Sequence, residues 1–577
     1  MTNAKNKKVW IALLIALAVF ACSIIFAWVV DTDGGKIDVQ SVYFTSNQDG
    51  SLMHGRLYVP QNATPETPAP AVLYIHGNDG DSDKYSMFSV ELSRRGFVVL
   101  NMDMRNQGQS VKNPDGVNDG TNGATEGTQY LQALSFVDSD NICIGGHSMG
   151  GTSSFSAYSL HPDWYNTVFG HAISSSFIDV ADDAKVNVFL ITSREEDDCV
   201  DWTRVADIFG YGCTVKEWEP NTVYGSFEEG NARMNLQSMH TIHNSVYIER
   251  ECIAETVNFL CNATNPVNPY DGYQQVWQWR YIWTGVALVA LIFMFVPLGS
   301  ILLSTPFFAP IIQPLPEYKG NTKGKWWVFA IITALFPPAV YFSWSSIGDQ
   351  WLPSIFAVRR ATLTLSWALL VAFVTGGILV VCRLFVKKED RPVWENYGLR
   401  LPKAGGLVIL LKTLLLAAIL WILVYSLLSL AYSWSLIDVR MWNNSFRVLD
   451  WRRVCRIFIY IVPFMFVYLV TGANLHGTLR AKNGTLSLGK EMLINILMLA
   501  PFYFVWMIWF GPFAWIKQNG GIPSFAVHMY SFFWALPVTM TIIASISTFF
   551  FRKTGRIYLG AFVNAWIVCW SILGGFS

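Results

Sequence analysis

Charge is the scarcest property of this 577-residue sequence: Asp, Glu, Lys and Arg make up 14% of it, against a usual share of about a quarter. Its 41 basic and 41 acidic residues cancel, and no basic tract reaches binding size, which argues against a nucleic-acid partner. Cysteine occurs nine times but never as Cys-x-x-Cys or with the Cys/His spacing of a zinc site, so neither a metal nor another cofactor is expected. Cys199 with Cys213, or Cys252 with Cys261, are the pairs open to a disulfide if their region faces an oxidising compartment. Unpaired buried thiols are the other reading. No acidic run or repeated arginine pattern marks an ion path, and there is no strong internal repeat.

Apolar residues are what the chain has in excess, 52% of the total, and they are gathered unevenly. "VWIALLIALAVFACSIIFAWVV" (9–30) is uncharged for about the length that crosses a bilayer. Lys5, Lys7 and Lys8 precede it, which predicts a cytoplasmic N-terminus and an uncleaved anchor. Eight further spans are expected near 281–303, 326–346, 361–386, 408–434, 456–474, 492–515, 525–550 and 557–576. Nine crossings place residues 31–275 outside, and Lys and Arg are denser in the predicted inner loops, except around 435–454. Proline pairs and singles (Pro337, Pro338, Pro463, Pro501, Pro537) imply kinks, and His528, Asn495 and Asn564 are the polar residues to watch inside spans. The expected organisation is a tail and anchor at 1–32, a polar domain at 33–275 and a membrane domain at 276–577.

Within the polar domain, short apolar runs alternate with helix-like stretches. "GRLYVP" (55–60) reads as an edge-type strand, and "APAVLYIHGNDG" (69–80) as a buried strand entering a glycine loop. "DKYSMFSVELSRRG" (83–96) reads as an amphipathic helix stopped by Gly96, and "FVVLNMDMRNQGQS" (97–110) as a second buried strand. Further strands are expected in "NICIGG", "TVFGHAISSS" and "VNVFLITS". The alternation implies a mostly parallel sheet covered on both faces, an α/β fold. "IGGHSMGG" (144–151) then stands where a strand turns into a helix. Gly146 and Gly150 leave room for that turn, and Ser148 is the residue it presents. A serine nucleophile needs a base oriented by an acid. Glu195, Glu196, Asp197 and Asp198 follow the strand "VNVFLITS", and His240 and His243 follow a probable last strand. That is the order Ser, acid, His.

These features together resemble the α/β-hydrolase superfamily, in particular its dienelactone-hydrolase and prolyl-oligopeptidase-like branch, over about 210 residues. The membrane half falls outside the resemblance. The resemblance implies an α/β-hydrolase domain and a serine hydrolase, an esterase before other activities. The hydropathy pattern joins that domain to an all-α polytopic membrane domain of eight spans, about nine in total with the anchor. Ser148 would be the nucleophile, Asp197 the acid (Asp198 and Glu196 remaining open) and His243 the base (His240 its rival). Backbone N–H groups of Asn78 and Met149 would hold the oxyanion. Asp103 and Arg105 match a turn that braces the active-site loops, and His147 and His171 are expected to pack. The family's glycine before its acid is missing in "SREED". Trp202, Phe209, Tyr211 and Trp218 are expected to shape an apolar pocket for a small or lipid-like ester. The bilayer is the one macroscopic partner implied. The competing expectations are an acyltransferase and a transport or sensory protein with an inert hydrolase-like domain.

Overall fold

The computed structural model describes residues 2–575 apart from 79, 112, 114, 117–118, 194–199, 318–323, 346–347, 385–391, 442–443, 481–485, 502 and 504–534. The chain divides into two compact units. One comprises Ile25–Trp283 with Ser435–Ile437, and the other holds Met1–Ile24, Thr284–Trp434 and Asp438–Phe576.

The first unit is built on an eight-stranded sheet: β1 (Ile37–Thr45), β2 (Leu52–Pro60), β3 (Ala69–Ile75), β4 (Val98–Asp103), β5 (Val137–His147), β6 (Thr167–His171), β7 (Asn187–Ser193) and β8 (Arg233–Ser238). Its spatial order is β1-β2-β4-β3-β5-β6-β7-β8. β1, β2 and β4 pair antiparallel, and every pairing from β4 through β8 is parallel. The parallel strands are apolar runs because both sheet faces are covered; Ala71 to Ile75 and Val98 to Leu100 are fully buried.

Two expectations about local structure change here. "GRLYVP" is not at the edge: β2 is paired on both sides, and a Cβ on Gly55 would lie 2.8 Å from Leu100 Cδ1. The edge is β1, whose residues are mostly exposed or half-exposed. The segment 83–96 yields a short helix, α1 (Ser86–Ser93), that is buried on every side rather than amphipathic. Most of its polar residues find partners: Glu91 binds Arg95 at 2.9 Å, Ser93 donates to the Ser89 carbonyl, and Ser89 accepts from Asn101 at 3.1 Å. Gly96 ends the segment at φ +100°, a left-handed backbone that glycine adopts without penalty.

Three more helices complete the layers: α2 (Ala124–Gln132), α3 (Met149–Leu160) and α4 (Arg250–Thr264). Cys252 and Cys261 are both on α4, buried and free, because one straight helix cannot bring them together. Cys213 is also free, and its candidate partner Cys199 lies outside the described residues. The helix Trp202–Phe209 turns Val205, Ala206, Ile208 and Phe209 into the core, and Trp218 joins them. Phe209 and Trp218 thus belong to the interior, Trp202 is half-buried against it, and Tyr211 lies 4.3 Å from the Arg233 guanidinium.

In the second unit and its flanks, seven helices among the described residues are long and apolar enough to cross a membrane. They are Lys7–Asp31, Trp277–Leu303, Arg359–Val381, Gly406–Ser435, Trp451–Thr478, Ala535–Thr554 and Tyr558–Gly575. The expected span at 326–346 is a helix, Gly324–Ser345, with Pro337 and Pro338 inside it, but it is not among the seven. The expected span at 492–515 begins as Leu488–Leu499 and runs into residues outside the description. Asn495 donates to Thr548 at 2.8 Å and Asn564 to the Ile543 carbonyl at 3.0 Å. Both tie helices together, while His528 lies outside the described residues. His476, not singled out from sequence, sits on a π-helical turn (Asn474–Thr478), 2.9 Å from Ser547 Oγ and stacked on Phe551.

Candidate active site

In the parallel part of the sheet, strand order reverses where β3 lies between β4 and β5. In open α/β sheets ligands bind beyond the carboxyl ends of the strands at such a reversal, here β3 and β5. Ser148 stands at that point, between the end of β5 and the start of α3, with φ +53° and ψ −120°. A serine is held in this sparsely populated region only when its neighbours fix it. The Ser148 N–H donates to the His171 carbonyl at 2.8 Å, and the Ser148 carbonyl accepts from Thr152 N–H at 3.0 Å. The flanking glycines follow from steric necessity: a Cβ on Gly146 or Gly150 would lie 2.0 or 2.1 Å from the Ile75 carbonyl oxygen. The elbow is thus pressed against the end of β3.

His243 Nε2 lies 2.9 Å from Ser148 Oγ. The hydrogen bond to the serine belongs to His243, and His240 is exposed. His243 sits on the turn after β8, where the Thr241 N–H and hydroxyl both bind the Ser238 carbonyl. Asp197, Asp198 and Glu196 lie outside the described residues. The next described acid, Asp201, is the N-cap of the helix Trp202–Phe209 and accepts from Thr203 and Arg204 N–H groups. Met149 opens α3, so its N–H is one of that helix's unpaired donors. Asn78 is exposed on the loop after β3. That loop touches the elbow: a Cβ on Gly77 would lie 2.6 Å from His147 Nδ1.

His147 does more than pack. Its Nε2 donates to the His243 carbonyl at 2.7 Å, and its Nδ1 therefore accepts from Tyr85 OH at 3.0 Å. Burial, reinforced by neighbouring His243, lowers its pKa well below the ordinary value, so the ring is neutral and this tautomer is fixed. His76 behaves alike: Nδ1–H donates to the Gly77 carbonyl at 2.7 Å and Nε2 accepts the Met104 N–H at 3.0 Å. Tyr85 and His147 carry a signal in sequence only by position, since a tyrosine ten residues after the end of β3 has no signature of its own.

Asp103 braces the loops. It accepts from His54 Nδ1 at 2.7 Å, from the Ser82 N–H at 2.6 Å and from the Gln109 N–H at 2.7 Å. Burial alone would raise its pKa, but the His54 charge and these hydrogen bonds outweigh it and hold the carboxyl well below the usual range. Arg105 pairs with Asp49 and Glu126, both at 2.6 Å. Among the described residues no cluster of three His, Cys, Asp or Glu could hold a metal.

His171 gives a pH prediction. It is fully buried between Tyr74 and Thr256, and burial lowers its pKa from 6.5 to about 3. The unfolded chain takes up the proton first, so stability is full above about pH 6.5 and falls as pH drops toward 3, by about 1.4 kcal/mol per unit. Thermal unfolding of the full chain from pH 8 to 4.5 should show a decline to which His76 and His147 also contribute, and His171→Phe should make it shallower. An equal slope in the variant would refute the assignment.

A family of hydrolases described as serine aminopeptidase, S33, matches residues 66–204. The match includes Ser148 and ends before His243. The mostly parallel eight-stranded sheet with its flanking helices fits the α/β-hydrolase fold. No curated protein sequence matches the chain. Among solved structures, DcsB in complex with its substrate analogue is 21% identical with a TM-score of 0.21, over 24% of this chain and 45% of its own. The chain thus spans under half the length of DcsB. Esterase Est22 is 16% identical with a TM-score of 0.29, over 43% of this chain and 85% of its own. Est1E from Butyrivibrio proteoclasticus, solved with ferulic acid, is 15% identical with a TM-score of 0.27, over 36% of this chain and 95% of its own.

Proposed function

We propose that the protein is a membrane-anchored serine hydrolase that cleaves carboxylic esters, small or lipid-like, at the outer face of a membrane. The observation that carries this reading is the 2.9 Å contact between His243 Nε2 and Ser148 Oγ at a strained strand-to-helix elbow. His243 takes the Ser148 proton as Oγ attacks the ester carbonyl, and the tetrahedral oxyanion is held by the Asn78 and Met149 N–H groups. Collapse expels the alcohol, protonated by His243, and leaves an acyl-serine. Water, activated by the same histidine, releases the acid. Asp197 orients His243 in this scheme, on the strength of its position in the sequence, between the serine and the histidine. No cofactor or metal is called for.

Anchoring rests on the seven long apolar helices, and the orientation rests on the lysines before the first of them. Cells carrying the protein should label with a membrane-impermeant fluorophosphonate as strongly when intact as when broken. Labelling only after breakage would reverse the orientation. No labelling of folded, detergent-solubilised protein would remove the enzyme reading altogether.

A further inference from the structure

The loop from His76 to Tyr85 carries Asn78 at one end and, at the other, the tyrosine that binds His147. On its sheet side it is held by His76 to Met104 and by Ser82 to Asp103. On its other side the partners come from the two segments that lead into long apolar helices. Arg280, in the first turn of Trp277–Phe293, donates from Nη2 to Asp83 Oδ1 at 2.5 Å and from Nε to Asp31 Oδ1 at 2.8 Å. Asp31 is the last residue of the helix Thr2–Asp31. Arg56 also binds Asp83, and Tyr281 OH donates to the Lys84 carbonyl at 2.5 Å. All four charged groups are at most 4% exposed. Glu91, on α1 just after the loop, receives the Val276 and Trp277 N–H groups at 2.7 and 2.9 Å, which fixes the start of the same helix.

We propose that Arg280 and Tyr281 are positioning residues for the hydrolase reaction: through Asp83 and Lys84 they set the loop that supplies one oxyanion donor and orients His147. This rests on the reading of Ser148 and His243 given above. The route to the reacting atoms is short and consists of bonded contacts. Asp83 and Lys84 precede Tyr85, Tyr85 OH binds His147, and His147 binds the backbone of His243, whose ring binds Ser148. Four buried charges of zero net sum hold that loop in one place, because any shift leaves a charge without its counter-ion in a dry interior.

The test uses the full chain in detergent, with p-nitrophenyl butyrate for kcat and KM and a fluorophosphonate for the maximal inactivation rate and its half-saturation concentration. Wild type is compared with Tyr281→Phe, Arg280→Lys and Arg280→Gln, each checked for folding by size-exclusion and thermal unfolding. A small misplacement of reacting groups costs up to about a hundredfold in rate, so kcat and the inactivation rate should fall roughly tenfold in Tyr281→Phe and more in Arg280→Gln. KM and half-saturation should change little, and Arg280→Lys should recover part of the loss. A folded Tyr281→Phe or Arg280→Gln protein with wild-type kcat overturns the proposal, as does a loss confined to KM. Should Arg280→Gln fail to fold, Tyr281→Phe, which removes one hydroxyl, still decides. A wild type that folds but does not label removes the hydrolase reading and this inference together, whereas a labelled wild type with unaffected variants removes this inference alone.

Discussion

Ser148→Ala is expected to lower ester hydrolysis by roughly 10⁴- to 10⁶-fold and to abolish fluorophosphonate labelling, the scale on which a triad serine is missed. The variant isolates chemistry from folding unusually well. Serine and alanine carry the same Cβ into the φ +53° conformation, so no new backbone strain arises. Both hydrogen bonds that fix the elbow, to His171 and from Thr152, use the backbone and survive the change. His243 loses its one contact with the serine hydroxyl, and the half-buried site admits water in its place. The measurement is full-length protein, wild type beside variant, in labelling and in p-nitrophenyl butyrate turnover. Equal labelling of both would mean another nucleophile.

The second large effect is on stability. Asp103→Ala leaves three donors without their acceptor: His54 Nδ1 and the N–H groups of Ser82 and Gln109. Removing one partner of a buried pair costs about 3–5 kcal/mol. Alanine also opens the space against which Gly108 packs, where a Cβ would lie 2.1 Å from the Asp103 carboxyl carbon. Because the folded carboxyl titrates below its unfolded value, its contribution is whole above the ordinary carboxylate range and is lost only as pH falls through the folded value. Chemical denaturation at pH 7 should therefore show the full loss, and the gap between variant and wild type should close in strong acid. A variant within 1 kcal/mol of wild type at pH 7 would contradict the brace.

How far the site could be read in advance differs by residue. The elbow was legible because its glycines answer to a local steric demand, the approach of the Ile75 carbonyl, and such demands leave fixed spacings in sequence. The histidine was not settled, since His240 and His243 lie three residues apart on one turn and only the fold after β8 aims one of them at Ser148. His147 was underestimated for a similar reason: its partners, Tyr85 and the His243 backbone, are 62 and 96 residues away. β2 was misjudged as an edge because the strand that covers it, β1, is mostly exposed and lacks the apolar run that marks the buried strands. Composition alone points the aromatic residues of 201–218 to a pocket, whereas Phe209 and Trp218 are buried in the core and Trp202 is half-buried against it.

The charge cluster around Asp83 also imposes an order of events during synthesis. Arg280 emerges 197 residues after Asp83 and 249 after Asp31. At a ribosomal pace of about 5–20 residues per second, Asp83 waits roughly 10–40 s for its second arginine. The sheet can assemble in that interval, but the loop beside Ser148 takes its final place only when the next apolar helix has begun to leave the ribosome. A nascent chain halted before residue 280 would hold all eight strands of the sheet while Asp83 and Asp31 still lack the arginine they share.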